Sequence, residues 1–295
     1  MAYGRKEYIH MAEALLRSYR RFSPDRPFAI ITNEENRDRA SKSFDSVIIL
    51  NSSYGSGVVQ KLALDIYTCF SETIFVDSDC LFYKDPEILW QSYANKPFCI
   101  RGWRHVTGNT EYETKRPYEF VKDIPFFLRQ LSIKQLPHIN SGVIYFDDSS
   151  KAHSVFQLAR NIYQKREGMG FVSFKGAPIN DEPALAAAME KLNIEMYEWD
   201  PVNGMETAIG MNNYYAINVL SGNSRFLKNG QERSSVLLHF NVADWQRRIY
   251  AREQYRLFLE NSAFGELRSN VRSLTHCTYP TMKKMLQKTR QLLSR

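Results

Sequence analysis

Long apolar runs are absent from this sequence. None approaches the length of a membrane span, and the N-terminus carries no signal-peptide core, so a cytoplasmic chain without a spanning helix is expected. Cysteine is sparse. The four residues, at 69, 80, 99 and 277, form no Cys-x-x-Cys pair, which argues against a cysteine-built metal site. Three of them lie in or beside apolar runs, so buried free thiols in a reducing compartment are expected. There is no internal repeat, no low-complexity linker and no RNA- or DNA-binding motif. No nucleic-acid partner is therefore expected.

Acidic residues are scarce at one end only. The whole chain carries 39 Lys and Arg against 32 Asp and Glu, a net of +7. Residues 246–295 hold 11 of the basic residues and 3 glutamates, a net of +8, so the remainder is nearly neutral and the basic character belongs to the C-terminal segment. Within it, Met282, Met285, Leu286, Leu292 and Leu293 alternate with Lys283, Lys284, Lys288 and Arg290. That pattern predicts an amphipathic helix with a basic face. Such a helix either covers the body or docks on the anionic inner face of a membrane, where each basic residue contributes about 1 kcal/mol. The organisation expected is a domain over 1–260 and a basic helical tail over 261–295.

What is present is an ordinary globular composition. In 295 residues, 43% are apolar and 24% charged, enough for one large α/β domain or two small ones. Residues 8–22 place Ile9, Ala12, Leu15, Leu16, Tyr19 and Phe22 at helical spacing. Apolar strands follow at 28–32 and 47–50. A flexible Gly55-Ser56-Gly57 loop precedes a helix over 58–70, and then comes the run Thr73–Phe82. This alternation predicts a parallel sheet with crossover helices. Further on, a strand is predicted at 97–103 and a helix at 119–132 interrupted by Pro125. A loop-then-strand is predicted at 139–147 and helices at 151–166 and from Pro183 on. Strands are predicted at 214–220 and 236–240, and a last helix at 243–260.

The run Thr73–Phe82 reads as a strand buried on both faces, with Asp77 and Asp79 one residue apart where it should end. Asp is a poor strand former. Period-two alternation sends both carboxylates to one side, where they could hold a hard divalent cation and leave room for a phosphate. A bare Asp-x-Asp is common and by itself reads as two solvated loop residues, so the flanks matter. Other residues offer chemistry on similar terms. Lys61 opens the helix before this strand, where a cation needs a reason. Its ammonium would stabilise negative charge developing nearby. His239 ends the apolar run Val236-Leu237-Leu238. Asn140 precedes Ser141-Gly142-Val143 and could both donate to and accept from hydroxyl groups of a ligand. Asp181 stands before Pro183, where it also suits a helix N-cap. Trp103, Arg104 and His105 form a polar-aromatic cluster without an assigned role, on what could be an acceptor loop.

The segment Val76-Asp77-Ser78-Asp79-Cys80-Leu81-Phe82, fourteen residues after Lys61-Leu62, resembles the metal-binding signature of nucleotide-sugar glycosyltransferases of the GT-A fold. The nearest resemblance is to the glycogenin-like and bacterial galactosyltransferase-like group, family 8. The order Lys61, Asp77/Asp79, Asn140, Asp181, His239 spans roughly residues 5–250. It implies a GT-A, Rossmann-like mixed sheet flanked by helices. It also implies Mn²⁺, with Mg²⁺ the alternative, held by Asp77, Asp79 and His239; imidazole beside carboxylates favours Mn²⁺. Lys61, Tyr8, Ser78, Asp77 and Asp79 would bind the donor, with Tyr8 stacked on the base. Asp181, Asn140 and Lys61 would serve the transfer. Two departures are visible. Relatives follow the His with Gly-x-x-Lys-Pro-Trp, whereas this chain reads Asn241-Val242-Ala243-Asp244-Trp245-Gln246-Arg247, and Arg247 or Arg248 would have to supply the phosphate contact. Relatives also place a strand before the first helix, where only Met1-Ala2-Tyr3-Gly4 stands here. Either the chain begins downstream of the usual start or the sheet is one strand short.

The expectation is a transferase moving sugar from a nucleoside diphosphate sugar, a UDP-sugar, to a glycan or lipid-linked acceptor. The resemblance implies retention of configuration, which the altered residues after His239 leave open. A non-catalytic sugar-nucleotide-binding protein and a metal-dependent phosphohydrolase are the alternatives; the latter needs a second cluster of acidic ligands that the sequence does not offer.

Overall fold

A computed structural model describes residues 1–109, 118–173, 179–197, 204–212, 216–241 and 244–260, with the backbone alone for 244–247. The predicted tail helix, the side chains of Trp245 and Arg247, and Tyr214 with Tyr215 lie outside the described residues. In chain order the elements begin with α1 (Lys6–Arg20), β1 (Ala29–Thr32), α2 (Arg37–Ala40), β2 (Ser46–Ile49), α3 (Leu64–Tyr67), β3 (Glu72–Val76) and β4 (Cys80–Phe82). Then come α4 (Glu87–Tyr93), β5 (Phe98–Val106), α5 (Ile124–Leu131), β6 (Leu136–Asp147), α6 (Ser150–Gln164) and α7 (Glu182–Lys191). The chain continues through β7 (Met205–Thr207), β8 (Met211–Asn212), β9 (Phe226–Lys228), β10 (Gln231–Arg233), β11 (Leu237–His239) and α8 (Asp244–Leu259). The chain divides into two compact units: residues 1–47, 77–89 and 200–295, and residues 48–76 and 90–199.

In the first unit, β11 lies between β4, antiparallel to it, and β7, parallel to it. Leu237, Leu238 and His239 are all buried, as a central strand with both neighbours occupied requires. The core around it gathers Met11, Ala14, Leu81, Tyr83, Leu238, Phe240 and Tyr250. Helix α1 turns Ile9, Ala12, Leu15, Leu16 and Tyr19 inward, the stripe that its spacing predicts. Ser18 on the same helix accepts the Phe82 amide at 3.0 Å, satisfying a donor of β4. The residues ahead of α1 run beside β1: the Ala2 amide donates to the Ile31 carbonyl at 2.8 Å and Thr32 Oγ1 donates to the Ala2 carbonyl.

In the second unit, β6 is central, twelve residues long, and antiparallel to both β3 and β5. The parallel pairing predicted for the Asp77 strand is thus replaced by an antiparallel one. Glu72 is exposed and Thr73 and Ile74 are half-buried; a short apolar run fits either arrangement, and pairing partners are not written in it. The strand predicted from residue 139 begins three residues earlier and includes Asn140 and Ser141. Helix α7 is buried on every side from Pro183 to Met189 and packs on β6 and α6; its alanines permit that close approach.

Other boundaries differ for local reasons. The helix predicted over 58–70 is 3₁₀ from Gly57 to Ala63 and α-helical only over α3. Here the backbone is held from the side. Arg160 donates to the Leu62 carbonyl at 2.6 Å, and buried Gln60 donates to the carbonyls of Asn51 (2.9 Å) and Gly55 (2.6 Å). Gly55 has φ of +101°, and a Cβ there would meet Val59 at 2.5 Å, so glycine is required. Pro125 starts α5 rather than interrupting it, behind Asp123, whose carboxylate accepts the Phe126 amide at 2.8 Å. Residues 216–220 form a turn, not a strand; Asn218 Oδ1 accepts the Leu220 amide at 3.0 Å. Cys80 and Cys99 are buried free thiols, but Cys69 is exposed, in the loop after α3 where the chain leaves the helix.

Gln60 is completely buried, and besides its two carbonyl partners it accepts from the Tyr67 hydroxyl at 2.5 Å. Gln60→Ala is expected to lower unfolding free energy by about 2–4 kcal/mol, since the three hydrogen bonds of a buried amide are lost together. Urea denaturation checks this; a change under about 0.5 kcal/mol would refute the role given to Gln60.

Candidate functional site

Two groups of polar side chains stand out, one in each unit. In the first unit, Asp77-Ser78-Asp79 is a turn, not the end of a single strand: the Cys80 amide donates to the Asp77 carbonyl at 3.1 Å, and the chain then re-enters a ladder as β4. The side chains converge through the turn, not through the alternation predicted. His239 Nε2 lies 3.3 Å from Asp79 Oδ1 and 3.8 Å from Asp77 Oδ2. The imidazole is about 6% exposed and each carboxylate about one-fifth, so the cluster faces solvent through its acids. The backbone is pinned behind it: the Phe240 amide donates to the Asp79 carbonyl (3.1 Å), and the Ala208 amide to the His239 carbonyl (2.9 Å). Tyr250 donates from below, its hydroxyl 3.4 Å from the carbonyls of Ser78 and Met11. Burial, with the nearby charges of Asp79 and Cys80, pushes that phenol far above its usual range, so it stays protonated. Ser78 is buried within the turn, and Tyr8 lies exposed on α1.

The chemistry of these donors suits a divalent cation, and among the described residues the group whose ligand atoms all lie within 4.8 Å of one another is Asp79, Cys80 and His239, without Asp77. Metal–ligand bonds of about 2.1–2.3 Å set neighbouring ligand atoms roughly 3–4 Å apart, the range of the His239–carboxylate separations. Cys80 is the residue that sequence reasoning passed over. It is the cross-strand partner of His239, and ligand atoms of Asp79, Cys80 and His239 all lie within 4.8 Å of one another. Its signal was register, which becomes visible only once β4 and β11 are paired. A thiolate would favour a softer metal such as Zn²⁺, whereas carboxylates with imidazole suit Mn²⁺. Asn241 stands where the resembling family has glycine, and it adopts φ of +47°. Asparagine tolerates this left-handed conformation better than other side chains do. Arg248 is exposed on α8.

In the second unit, Lys61, Asn140, Ser141 and Glu182 come together at a bulge. Between the pairs Ile100↔Ile144 and Arg101↔Asn140, strand β6 spends three extra residues. The backbone of that bulge is bonded by side chains. The Ser141 amide donates to Glu182 Oε1 (3.0 Å), Lys61 Nζ donates to the Ser141 carbonyl and hydroxyl (3.2 Å each), and the Gly142 amide donates to Asn140 Oδ1 (3.0 Å). Lys61 is buried and also lies 5.5 Å from the Phe75 ring centroid. Asp181 is 1% exposed, and its side chain makes no capping bond; Asn180 Oδ1 accepts the Glu182 amide instead, at 3.0 Å. The N-cap role predicted for Asp181 therefore belongs to its neighbour.

A third feature adjoins Asn140 on β6. His138 is buried, accepts from Arg104 Nε at 3.2 Å through Nδ1, and lies against Trp103, ring centroids 4.1 Å apart, and edge-to-face with Tyr118 at 4.8 Å. Burial, and secondarily the Arg104 charge, push the imidazole down to about 3. An unfolded chain, with an ordinary value near 6.5, takes up that proton first. Stability is therefore full above about pH 6.5 and falls as pH drops toward 3. His138→Asn should lessen the stability lost between about pH 7 and pH 4.5 by on the order of a few kcal/mol. Urea titrations of both proteins at the two pH values measure it; equal losses would refute the buried neutral imidazole.

No protein-family model and no curated protein matches the chain. Solved structures do. The galactosyltransferase LgtC in complex with donor and acceptor sugar analogs overlays at a TM-score of 0.47 and 12% identity, over 69% of this chain and 74% of that one. Mouse xyloside xylosyltransferase 1 overlays at 0.47 and 13%, over 81% and 95%. The glycosyltransferase GlyE of Streptococcus pneumoniae TIGR4 overlays at 0.43 and 11%, over 67% and 44%.

Proposed function

We propose that this protein is a metal-dependent glycosyltransferase, moving a sugar from a UDP-sugar to a glycan or lipid-linked acceptor. The observation that carries this reading is the convergence of two carboxylates from one turn on a single buried imidazole, at 3.3 and 3.8 Å. Asp77, Asp79 and His239 would hold Mn²⁺, or Mg²⁺, with Cys80 beside them. When bound, the ion supplies positive charge to the diphosphate leaving group. Ser78 and Tyr8 are assigned to the nucleotide, with the exposed Tyr8 ring offering a face to the base. Lys61 fixes the Ser141 bulge and adds a buried positive charge that favours a departing anion. Asn140 and Asp181 are assigned to the sugar, Asn140 through its amide and Asp181 as a buried carboxylate able to oppose positive charge at the reacting carbon.

A two-metal phosphohydrolase is disfavoured by a count. Among the described residues one group of three metal-ligating side chains occurs, and two ions need more. No helix among the described residues is long and apolar enough to cross a membrane. A cytoplasmic protein resting on the inner membrane face through residues 261–295 is part of the proposal.

Calorimetry of UDP with Mn²⁺ should show binding that excess chelator abolishes; unchanged affinity without metal would end the metal-bridge reading. Asp79→Ala should lower donor turnover by about 100-fold or more. His239→Ala should weaken Mn²⁺ binding, followed by electron paramagnetic resonance, with Tm nearly held. A large drop in Tm with Mn²⁺ affinity retained would make His239 a core residue only.

A further inference from the structure

We propose that the first unit carries a second ligand site, a pocket beside the C-terminal halves of α1 and α8 that takes the phosphate group of a small phosphate ester. The site is independent of the glycosyltransferase reading above. The pocket has a volume of about 530 Å³, within the range of small-molecule sites. Buried Leu16 and Leu257 are among its lining residues. Around them stand four cations, Arg17, Arg20, Arg21 and Lys42, and two acids, Glu13 and Glu260. All belong to one unit. The Tyr250 hydroxyl on α8 reaches the Met11 carbonyl of α1, and further along the same two helices Arg17 reaches the Leu257 carbonyl at 3.4 Å. From Tyr250 to Leu257 a helix advances about 10 Å, so the pocket is separate from the cluster of Asp79 and His239.

Charge supplies the ligand class. The acids already have partners. Arg39 donates twice to Glu13, at 2.7 Å each, and Arg21 pairs with Glu260. Asp45 accepts from Arg20 Nη2 at 2.8 Å. With Arg39 and Asp45 counted, five cations meet three carboxylates, and two positive charges remain. Arg17 and Lys42 supply them. Arg17 is exposed, and its contacts are the long bond to Leu257 and the Phe258 ring, 4.8 Å away. Lys42 is exposed and bonds no described residue. The ends of the two helices oppose an anion by roughly half a charge each, which still leaves the pocket positive. A guanidinium fork matches phosphate oxygens in pairs, and a lysine adds a point charge. Half-buried Ser43 in the lining offers a hydroxyl beside them. A neutral sugar would leave the excess charge unmet. The phosphate can belong to a soluble ester or to a phospholipid headgroup, since the basic segment over 261–295 follows Glu260 in the chain. The test separates these two sources.

The soluble probes are glycerol 3-phosphate, glucose 6-phosphate and inorganic phosphate, titrated by calorimetry into the full chain with a metal chelator present. Vesicles of phosphatidylglycerol, with phosphatidylcholine as the neutral control, are sedimented with the same protein at the same ionic strength. Arg17→Ala and Lys42→Ala should each weaken binding of the active probe about ten-fold, the scale of one charge-assisted bond lost, with Tm unchanged. Arg17→Lys should keep part of it. Lys6→Ala removes an exposed cation from the other end of α1 and should leave binding as it was. A soluble ester that needs Arg17 and Lys42 makes this a site for free phosphate esters. Phosphatidylglycerol binding that needs both residues, with no soluble probe bound, assigns it to a lipid headgroup. Soluble-probe binding that survives the paired substitution of Arg17 and Lys42 by Ala overturns the proposal. So does the lack of any soluble binding where vesicle binding is absent or survives that pair. An equal loss in Lys6→Ala overturns it too, because net charge would then explain the effect. Should Arg17→Ala lower Tm, Lys42→Ala alone decides.

Discussion

The second unit depends on how a break in its central strand is satisfied. Strand β6 bonds to neighbours on both sides, and Ser141 steps out of the ladder in the middle of it. A buried amide and carbonyl left there would each cost about 1–3 kcal/mol. The Glu182 carboxylate takes the amide and the Lys61 ammonium takes the carbonyl, so two opposite charges are tied to one residue's backbone from two elements. Each charge needs the other as much as it needs Ser141, because a lone buried ion is costly. This bracket connects the 3₁₀ segment, the first turn of α7 and β6, and it sets where Asn140 stands. Lys61 is thereby a structural residue first, whatever charge it offers to a substrate.

The first unit meets a different constraint. Its acids sit in a turn whose backbone is closed by the Cys80 amide on one side and by the Phe240 amide on the other. The turn places carboxylates at the mouth, in front of the imidazole that β11 holds at the back. Such an arrangement keeps the acids partly hydrated and spares the fold the expense of burying two like charges. It also explains why the strand that follows is only three residues long: β4 exists to seat Leu81 and Phe82 in the core while Asp79 stays outside.

Much of this was legible in the sequence, for reasons that differ by residue. Helix α1 and strand β11 announce themselves because amphipathic spacing and a continuous apolar run are direct records of burial. The order of Lys61, Asp77/Asp79, Asn140, Asp181 and His239 was readable as a set of residue types. What was hidden depends on pairing. Residues 73–82 look like one strand, yet they are two strands of separate sheets, since nothing local marks which neighbour each half will bond. The antiparallel partnership of β3 with β6 is a long-range fact of the same kind, as is the meeting of Cys80 with His239. Asp181 reads as the cap of α7, but its helical backbone angles leave the capping bond to Asn180. Pro125 was ambiguous because proline both stops and starts helices, and Asp123 two residues earlier was the better clue.

The bulge at Trp103 has an evolutionary consequence. The pairs on either side of it, Gly102 with Ile139 and Arg104 with His138, differ in register by one position, so deleting that residue removes this bulge and leaves the one between Ile100 and Arg101 in place. Every other pair in the sheet would keep its partner. A side chain presented this way can be gained or lost by insertion or deletion of a single codon, without repacking the strand around it. Substitutions at Phe98, Cys99, Ile100, Arg101 or Gly102 have no such freedom, because those residues are buried. Diversity among descendants of this chain should therefore show at this point as a change in length before it shows as a change in residue type.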